Sequence, residues 1–422
     1  MSIEARDGAG HSRLAIVLIV SLFFLWGMAN NLNDVLIPHF RKAFALSDFA
    51  SGLVQSAFYM GYFLVAIPAA LFMQRFGYKS AVIFGLILYG LGALLFLPAA
   101  WADSYVFFLG ALFVIAGGLA FLETSANPMV ATLGAPEDAE RRLNFAQAFN
   151  PLGSISGVVI GGSSILSGVE RTPAEVAAMS PAALAAWRAE ELSFVQGPYV
   201  AIGVGVLLWA LLIALTRFPA SATRGGGAEG IGSLAGFGQL FRRGRYMFGV
   251  FAQFCYVGAQ VGIWSYTIRY AQAEIGAREG FATNLLIVAL VLFMIGRFVG
   301  AALMKRVSPL VLLATFGAVN LLLCLVAAFV GGWAGIVALT ASSFFMSIMF
   351  PTIFAASLRG LGELTKLGSS LVVMAIIGGA VLTAIMGAIS DASGMIRLAM
   401  LVPAACFVVV ALFARRMGQA EA

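Results

Sequence analysis

The chain is built from long apolar runs separated by short polar breaks, and this alternation continues from about residue 14 to residue 414. A helix needs about 20 apolar residues to cross the hydrocarbon core of a bilayer. Runs of that kind lie near 14–38, 50–73, 79–100, 104–130, 144–166 and 196–217, and again near 243–268, 281–303, 308–330, 334–357, 368–390 and 396–414. Whole segments are apolar on every face instead of along one stripe, which is the pattern of helices solvated by lipid. The expected fold is therefore an all-α membrane protein of twelve transmembrane helices. Spans 14–38 and 104–130 exceed the length of a straight crossing, so tilt or local irregularity is expected in both.

The longest polar connection, 218–242, contains Thr223-Arg224-Gly225-Gly226-Gly227-Ala228-Glu229-Gly230 and has the composition of a flexible linker. It divides the chain into two six-helix halves, 1–217 and 243–422, joined by 218–242. A faint internal echo fits two related halves. Ala69-Ala70-Leu71-Phe72-Met73-Gln74-Arg75-Phe76-Gly77 ends the second span, and Ala301-Ala302-Leu303-Met304-Lys305-Arg306 ends the eighth. Transporters built from pseudo-symmetric repeats bind their substrate near the bilayer midplane, at the repeat interface.

Composition supports the same picture, because 61% of the 422 residues are hydrophobic and only 10% are charged. A soluble domain carries roughly a quarter of its residues as charges. The net charge of +6 does not indicate a nucleic-acid partner, since the basic residues stand singly or in pairs between spans. Instead it sets an orientation. With both termini in the cytoplasm, 17 of the 25 Lys and Arg fall inside and seven outside, leaving Arg297 within a span. A multi-pass monomer in the cytoplasmic (inner) membrane is expected. Met1 to Ser12 is polar with no cleavage site after a short apolar core, so the first span is expected to be retained. Cys255, Cys324 and Cys406 lie in apolar stretches and read as small buried hydrophobes. With His11 and His39 the only histidines, no metal site is supported, and no phosphate loop, nucleotide fingerprint or catalytic triad appears, so neither a cofactor nor an enzyme is expected.

Two carboxylates stand clearly inside spans, Asp34 in the first and Glu123 in the fourth. An ionised carboxylate at mid-bilayer costs at least about 2.5–3.5 kcal/mol, so each must face a wet cavity or be neutral. Both keep polar company, in Asn30-Asn31-Leu32-Asn33-Asp34 and in Glu123-Thr124-Ser125-Ala126-Asn127-Pro128. Helical spacing places Asn31 beside Asp34 and Asn127 one turn from Glu123. In the fifth span Gln147 and Asn150 are three apart and able to point one way. In the seventh, Gln253, Tyr256, Gln260 and Trp264 recur at spacings of three or four and form one polar stripe. Carboxylates and amides offer hydrogen bonds to a polyol, and an aromatic ring lies well against the C–H face of a pyranose. Any single amide serves equally well as a bond between helices. Trp264 and Tyr266 lie toward a helix end and also suit an interfacial belt, and Arg297 suits snorkelling, capping of its helix or pairing with an acid during gating. Glycine-rich stretches at 153–162 and 377–379 allow close helix packing.

At several of these stretches the sequence resembles the L-fucose–proton symporter family of the major facilitator superfamily, which also includes bacterial glucose/galactose transporters. The residues that carry the likeness are Phe24-Leu25-Trp26-Gly27 through Asp34, Gln55-Ser56-Ala57-Phe58-Tyr59, Leu122-Glu123-Thr124 with Ala126-Asn127-Pro128, and Ala252 through Gln260. Pro351-Thr352-Ile353-Phe354 and Gly368-Ser369-Ser370 extend it into the second half. The resemblance implies alternating access, a monosaccharide substrate and two essential carboxylates, with Asp34 coupling to sugar and Glu123 carrying the proton. It also implies Asn31, Gln147 and Asn150 as cavity residues. It departs at Phe350, where the family's fucose carrier has a tyrosine hydroxyl. Proton-coupled symport of L-fucose or a related hexose is the expected function. Sodium-coupled sugar transport and a non-transporting membrane sugar sensor are the alternatives.

Overall fold

The computed structural model describes residues 17–29, 36, 39–40, 43–44, 48–132, 136–165, 178–216, 218 and 234–419. Among the described residues every regular element is helical. Helix α1 is Val17–Ala29. Asp48–Leu94 is two helices joined end to end, α2 before Gly77 and α3 after it, and Phe96–Trp101 prolongs α3. Then follow α4 (Tyr105–Thr132), α5 in two pieces (Ala139–Gln147 and Asn150–Ser164) and α6 (Pro181–Leu215). After the short helix Leu234–Phe241 come α7 (Gly244–Ile275), α8 (Glu279–Leu303) and α9 (Pro309–Phe329). α10 is again in two pieces, Gly332–Met346 and Met349–Leu358. α11 runs as Thr365–Met374 and Gly378–Ser393, with a 3-10 turn between them, and α12 is Leu401–Gly418.

Nine helices among the described residues are long and apolar enough to cross a membrane. The first of them is the α2–α3 pair, and α1 with the two-piece α5 brings the set to the twelve expected from sequence. Large apolar side chains such as Leu208, Leu212, Leu322 and Val337 stand exposed along these helices, as they do when lipid is the solvent. Two boundaries move. α6 starts at Pro181, well before the expected 196, because Ser180 caps it by accepting from the Ala183 amide at 3.3 Å. α7 runs to Ile275, past the expected 268, where Gly276 at φ 63 supplies the left-handed residue that ends it.

By internal contacts the chain divides into two compact units, Met1–Ala126 with Leu152–Gly225, and Asn127–Pro151 with Gly226–Ala422. In the first unit Gly77 (φ 85, ψ 171) adopts a backbone conformation that is essentially restricted to glycine, and so reverses the chain between α2 and α3 in one residue. Just beyond it the Lys79 ammonium donates to the carbonyls of Ala214 and Thr216 at 2.8 and 2.9 Å, placing a cation at the negative end of α6. The glycine-rich start of the second α5 piece lies directly on α1. A methyl group added at Gly157 would stand 2.5 Å from the Met28 carbonyl, and one at Gly153 would overlap the Phe24 carbonyl. The expected close approach at 153–157 is thus an α5–α1 contact with no room for a side chain.

In the second unit α7 is the central helix and packs on α10, α11 and α12. Its glycine face, Gly258 and Gly262, meets Leu382 and Met386 of α11. The opposite, polar face meets α10. The 377–379 glycines sit where α11 restarts, with Gly378 against the backbone of Phe254. All three cysteines are buried.

Candidate functional site

Glu123 lies on α4 and is 1% exposed. Neither carboxylate oxygen has a hydrogen-bond partner among the described residues, and the neighbouring Thr124 hydroxyl has none either. A carboxylate enclosed in this way, with no hydrogen-bond donor among the described residues, is costly to bury in its charged form. In the same unit the Trp26 indole donates to the Tyr62 hydroxyl at 2.9 Å. Trp26 belongs to a stretch that carries the family resemblance. Asn31 and Asp34 lie outside the described residues, as does Asn30.

The second unit holds a linked set of polar groups, and two prolines explain its local form. Proline has no amide hydrogen, so the carbonyl four residues before it loses its helical partner. Pro151 frees the carbonyl of Gln147 in this way, where α5 breaks between its two pieces. Arg297 of α8 occupies the vacancy: one guanidinium nitrogen donates to the Gln147 carbonyl at 2.8 Å and to the Gln147 side-chain oxygen at 2.9 Å. The Gln147 amide nitrogen then donates to the Asn127 side-chain oxygen at 2.9 Å. Arg297, Gln147 and Asn127 thus form one chain of hydrogen bonds, in which the Asn127 amide nitrogen and the Arg297 Nε have no partner among the described residues. α10 breaks in the same manner before Pro351. Near that break the Tyr256 hydroxyl donates to the Met346 carbonyl at 3.1 Å.

This geometry corrects the expectations for Arg297. The residue neither snorkels nor caps its helix end, since it is 4% exposed and turned inward, with its guanidinium 4.8 Å from the centroid of Phe293. Two acceptors of Gln147 outweigh the stretch toward water. A second correction concerns Glu140, which sequence placed among the loop acids. It is wholly buried in the first piece of α5 and forms an ion pair with Arg359. Asn144, one turn further on, donates to the Thr352 hydroxyl at 3.0 Å.

The α7 stripe appears as the spacing predicted, with all four members along one line of the helix. Gln253 is fully enclosed, and neither its amide nitrogen nor its oxygen has a partner among the described residues. Tyr256 is buried, with its ring edge-on to Phe350. Gln260 is half-buried. Trp264 is half-buried too; its indole donates to the Ser343 hydroxyl at 3.1 Å, and its ring meets Phe293 edge-on at 5.0 Å. It is therefore bound into α10 and is not a belt residue. Asn150 is half-buried at the start of the second α5 piece, past the break, so the helical register assumed between it and Gln147 is interrupted. Arg297, Asn144, Thr352 and Ser343 were not singled out as site residues from sequence. The usable signal for Asn144 was a polar residue within about a turn of a proline-marked break.

Apolar helices long enough to cross a membrane, with a buried carboxylate in one unit and buried amides in the other that lack partners among the described residues, define a secondary transporter. The sequence matches the Major Facilitator Superfamily over residues 19–376. It is 49% identical to the L-fucose-proton symporter of Escherichia coli over 417 residues, covering 97% of this chain and 95% of that protein. It is 38% identical to the L-fucose-proton symporter of Haemophilus influenzae, with 95% of each chain covered. It is 35% identical to the glucose/galactose transporter of Brucella abortus, covering 94% of this chain and 93% of that one. A crystal structure of a Major Facilitator Superfamily transporter, FucP, in the outward conformation superposes with a TM-score of 0.88 at 49% identity, covering 95% of this chain and 98% of that one. The chain belongs to the major facilitator superfamily and, within it, to the L-fucose–proton symporter family.

Proposed function

We infer that the chain is a proton-coupled symporter of a monosaccharide, L-fucose or a related hexose, working by alternating access. The observation that carries this reading is Glu123, a carboxylate inside a transmembrane helix with both oxygens enclosed and unpaired among the described residues. Such a group holds a proton when enclosed and releases it when water reaches it. The names of the relatives, two L-fucose-proton symporters and a glucose/galactose transporter, support sugar and proton as the coupled pair.

In this reading Glu123 takes a proton from outside, with Asp34 coupling protonation to sugar. The sugar is held by Asn31, Asp34, Asn127, Gln147 and Asn150 and by Gln253, Tyr256, Gln260 and Trp264 of α7. The Gln253 amide donor and acceptor and the Asn127 amide nitrogen, which have no partner among the described residues, are available to sugar hydroxyls, and Trp264 offers its ring face. Neutralising Glu123 removes the penalty of occluding a charge, and the loaded carrier then reorients. One charge crossing about 100 mV releases roughly 2.3 kcal/mol, enough to concentrate a neutral sugar tens of times. The halves that move are 1–217 and 243–422, joined by 218–242. The same reading places the protein as a monomer in the inner membrane with both termini cytoplasmic, following the excess of Lys and Arg on that side.

The decisive test is Glu123→Gln in proteoliposomes, which fixes the neutral form. Uphill uptake driven by a proton gradient should disappear while exchange of labelled for unlabelled sugar across the membrane persists. Accumulation equal to that of the unsubstituted protein would remove Glu123 from the proton path. Imposing proton and sodium gradients separately distinguishes the two couplings, and competition among fucose, galactose, glucose and mannose identifies the sugar.

A further inference from the structure

A cavity of about 490 Å³ opens where α7 begins, walled by Arg243, Arg245 and Tyr246 on one side and by Ser357, Arg359 and Gly360 on the other. None of the residues lining it is acidic. Arg359 already has Glu140 as its counter-charge, and Arg243 donates to the Gly360 carbonyl at 3.1 Å, a neutral partner. Arg245 has no partner among the described residues and is exposed. Two guanidinium charges therefore face one open cavity whose lining holds no carboxylate to balance them. The Ser357 hydroxyl, which donates to the Ile353 carbonyl, keeps its oxygen available as an acceptor for a protonated ligand oxygen. The first turn of α7 has no side-chain cap, so its amides add partial positive charge from the same direction.

We propose that this cavity is a binding site for a phosphate-bearing anion, separate from the sugar site. Guanidinium groups hold phosphate oxygens through paired N–H donors, and two of them converge here on a space large enough for a phosphate ester with a small attached group. Because Gly244 is also the first residue of a membrane-crossing helix, the cavity lies level with the end of a span, where the phosphates of anionic lipids are found. The same chemistry fits a free phosphate ester from solution, and experiment separates the two sources.

The test uses the full-length chain in nanodiscs, in phosphatidylcholine alone and in phosphatidylcholine with phosphatidylglycerol. Native mass spectrometry counts retained phosphatidylglycerol, and inorganic phosphate and glycerol 3-phosphate are titrated against thermal unfolding. Arg245→Ala should weaken binding about fivefold, the effect expected of one surface cation, with Arg243→Ala/Arg245→Ala weaker still and Arg245→Lys intermediate, since it keeps the charge but loses the paired donors. Arg278→Ala, an exposed cation elsewhere, should have no effect. Retained phosphatidylglycerol that is lost in Arg245→Ala assigns the site to lipid, and stabilisation by the soluble phosphates that is lost in the same variant assigns it to solution. Binding of either kind that ignores Arg245, or no binding at all, overturns the proposal.

Discussion

Removing Arg359 should harm the protein far more than removing its partner Glu140. Glu140 is wholly buried, whereas about a third of the Arg359 side chain is exposed. Arg359→Ala therefore removes the ion-pair partner of a carboxylate where water does not reach, a loss that typically costs about 3–5 kcal/mol. Glu140→Gln leaves a guanidinium that can turn to solvent, and for such a half-exposed pair the loss is about 1 kcal/mol. The double variant Glu140→Gln/Arg359→Ala removes both charges and should recover much of the larger penalty, leaving a coupling of about 2 kcal/mol or more. Thermal unfolding in detergent reads this directly, since a unit of this size shifts by about 2–4 °C for each kcal/mol. Arg359→Ala should melt about 6 °C or more below the parent, Glu140→Gln within about 4 °C of it, and the double variant nearer to Glu140→Gln. Equal effects from the two single changes, or simple additivity in the double, would refute the view that burial of the carboxylate governs this pair.

Two other outcomes follow from the packing and from the unpaired groups. Gln253→Leu removes a fully enclosed amide whose two polar atoms have no partner among the described residues. It should raise unfolding stability by about 1–3 kcal/mol while lowering sugar affinity at least tenfold, and destabilisation would show that the amide has a structural partner. Gly157→Val places a branched side chain against the Met28 carbonyl, where a methyl group alone would stand at 2.5 Å. It should lose more than about 3 kcal/mol or fail to assemble, as read by the yield of monodisperse protein on size exclusion, and a normal yield would mean that α1 is not held at this distance.

Much of this was legible in the sequence because the bilayer imposes a simple rule, namely that each crossing must be a long apolar helix. The twelve spans and the α7 stripe needed nothing more than length and periodicity. Arg297 was not legible, since its direction depends on a carbonyl freed by Pro151 on another helix, and periodicity within α8 carries no information about that. Glu140 was misread for a related reason. It sits among Glu137, Asp138, Arg141 and Arg142, which look like a solvated loop, yet its partner Arg359 is 219 positions away. The Gln147–Asn150 register failed at the Asn-Pro junction, where a straight helix was assumed across a proline. Each miss is a long-range pairing or a helix break, whereas each success is local.

The polar groups inside these helices separate into two kinds, and the difference indicates where a ligand belongs. Many serine and threonine hydroxyls, though not those of Thr124 and Thr340 among the described residues, satisfy themselves by donating to a carbonyl three or four residues back, as Ser125 does to Phe121, Thr267 to Ile263 and Thr383 to Gly379, at 2.6–2.8 Å. Their burial therefore costs little and says little about function. An amide or carboxylate cannot close on its own helix so easily, because it presents several acceptors or donors in a plane that points away from the backbone. When such a group is enclosed and stays unpaired, the folded chain bears a penalty of about 1–3 kcal/mol with no structural return. Glu123, Asn127 and Gln253 are in that position among the described residues. A penalty kept in the empty protein is recovered only on contact with something outside the chain. In the proposed function a proton satisfies the carboxylate and sugar hydroxyls satisfy the amides, and under that proposal the transported pair completes hydrogen bonding that the described residues leave open.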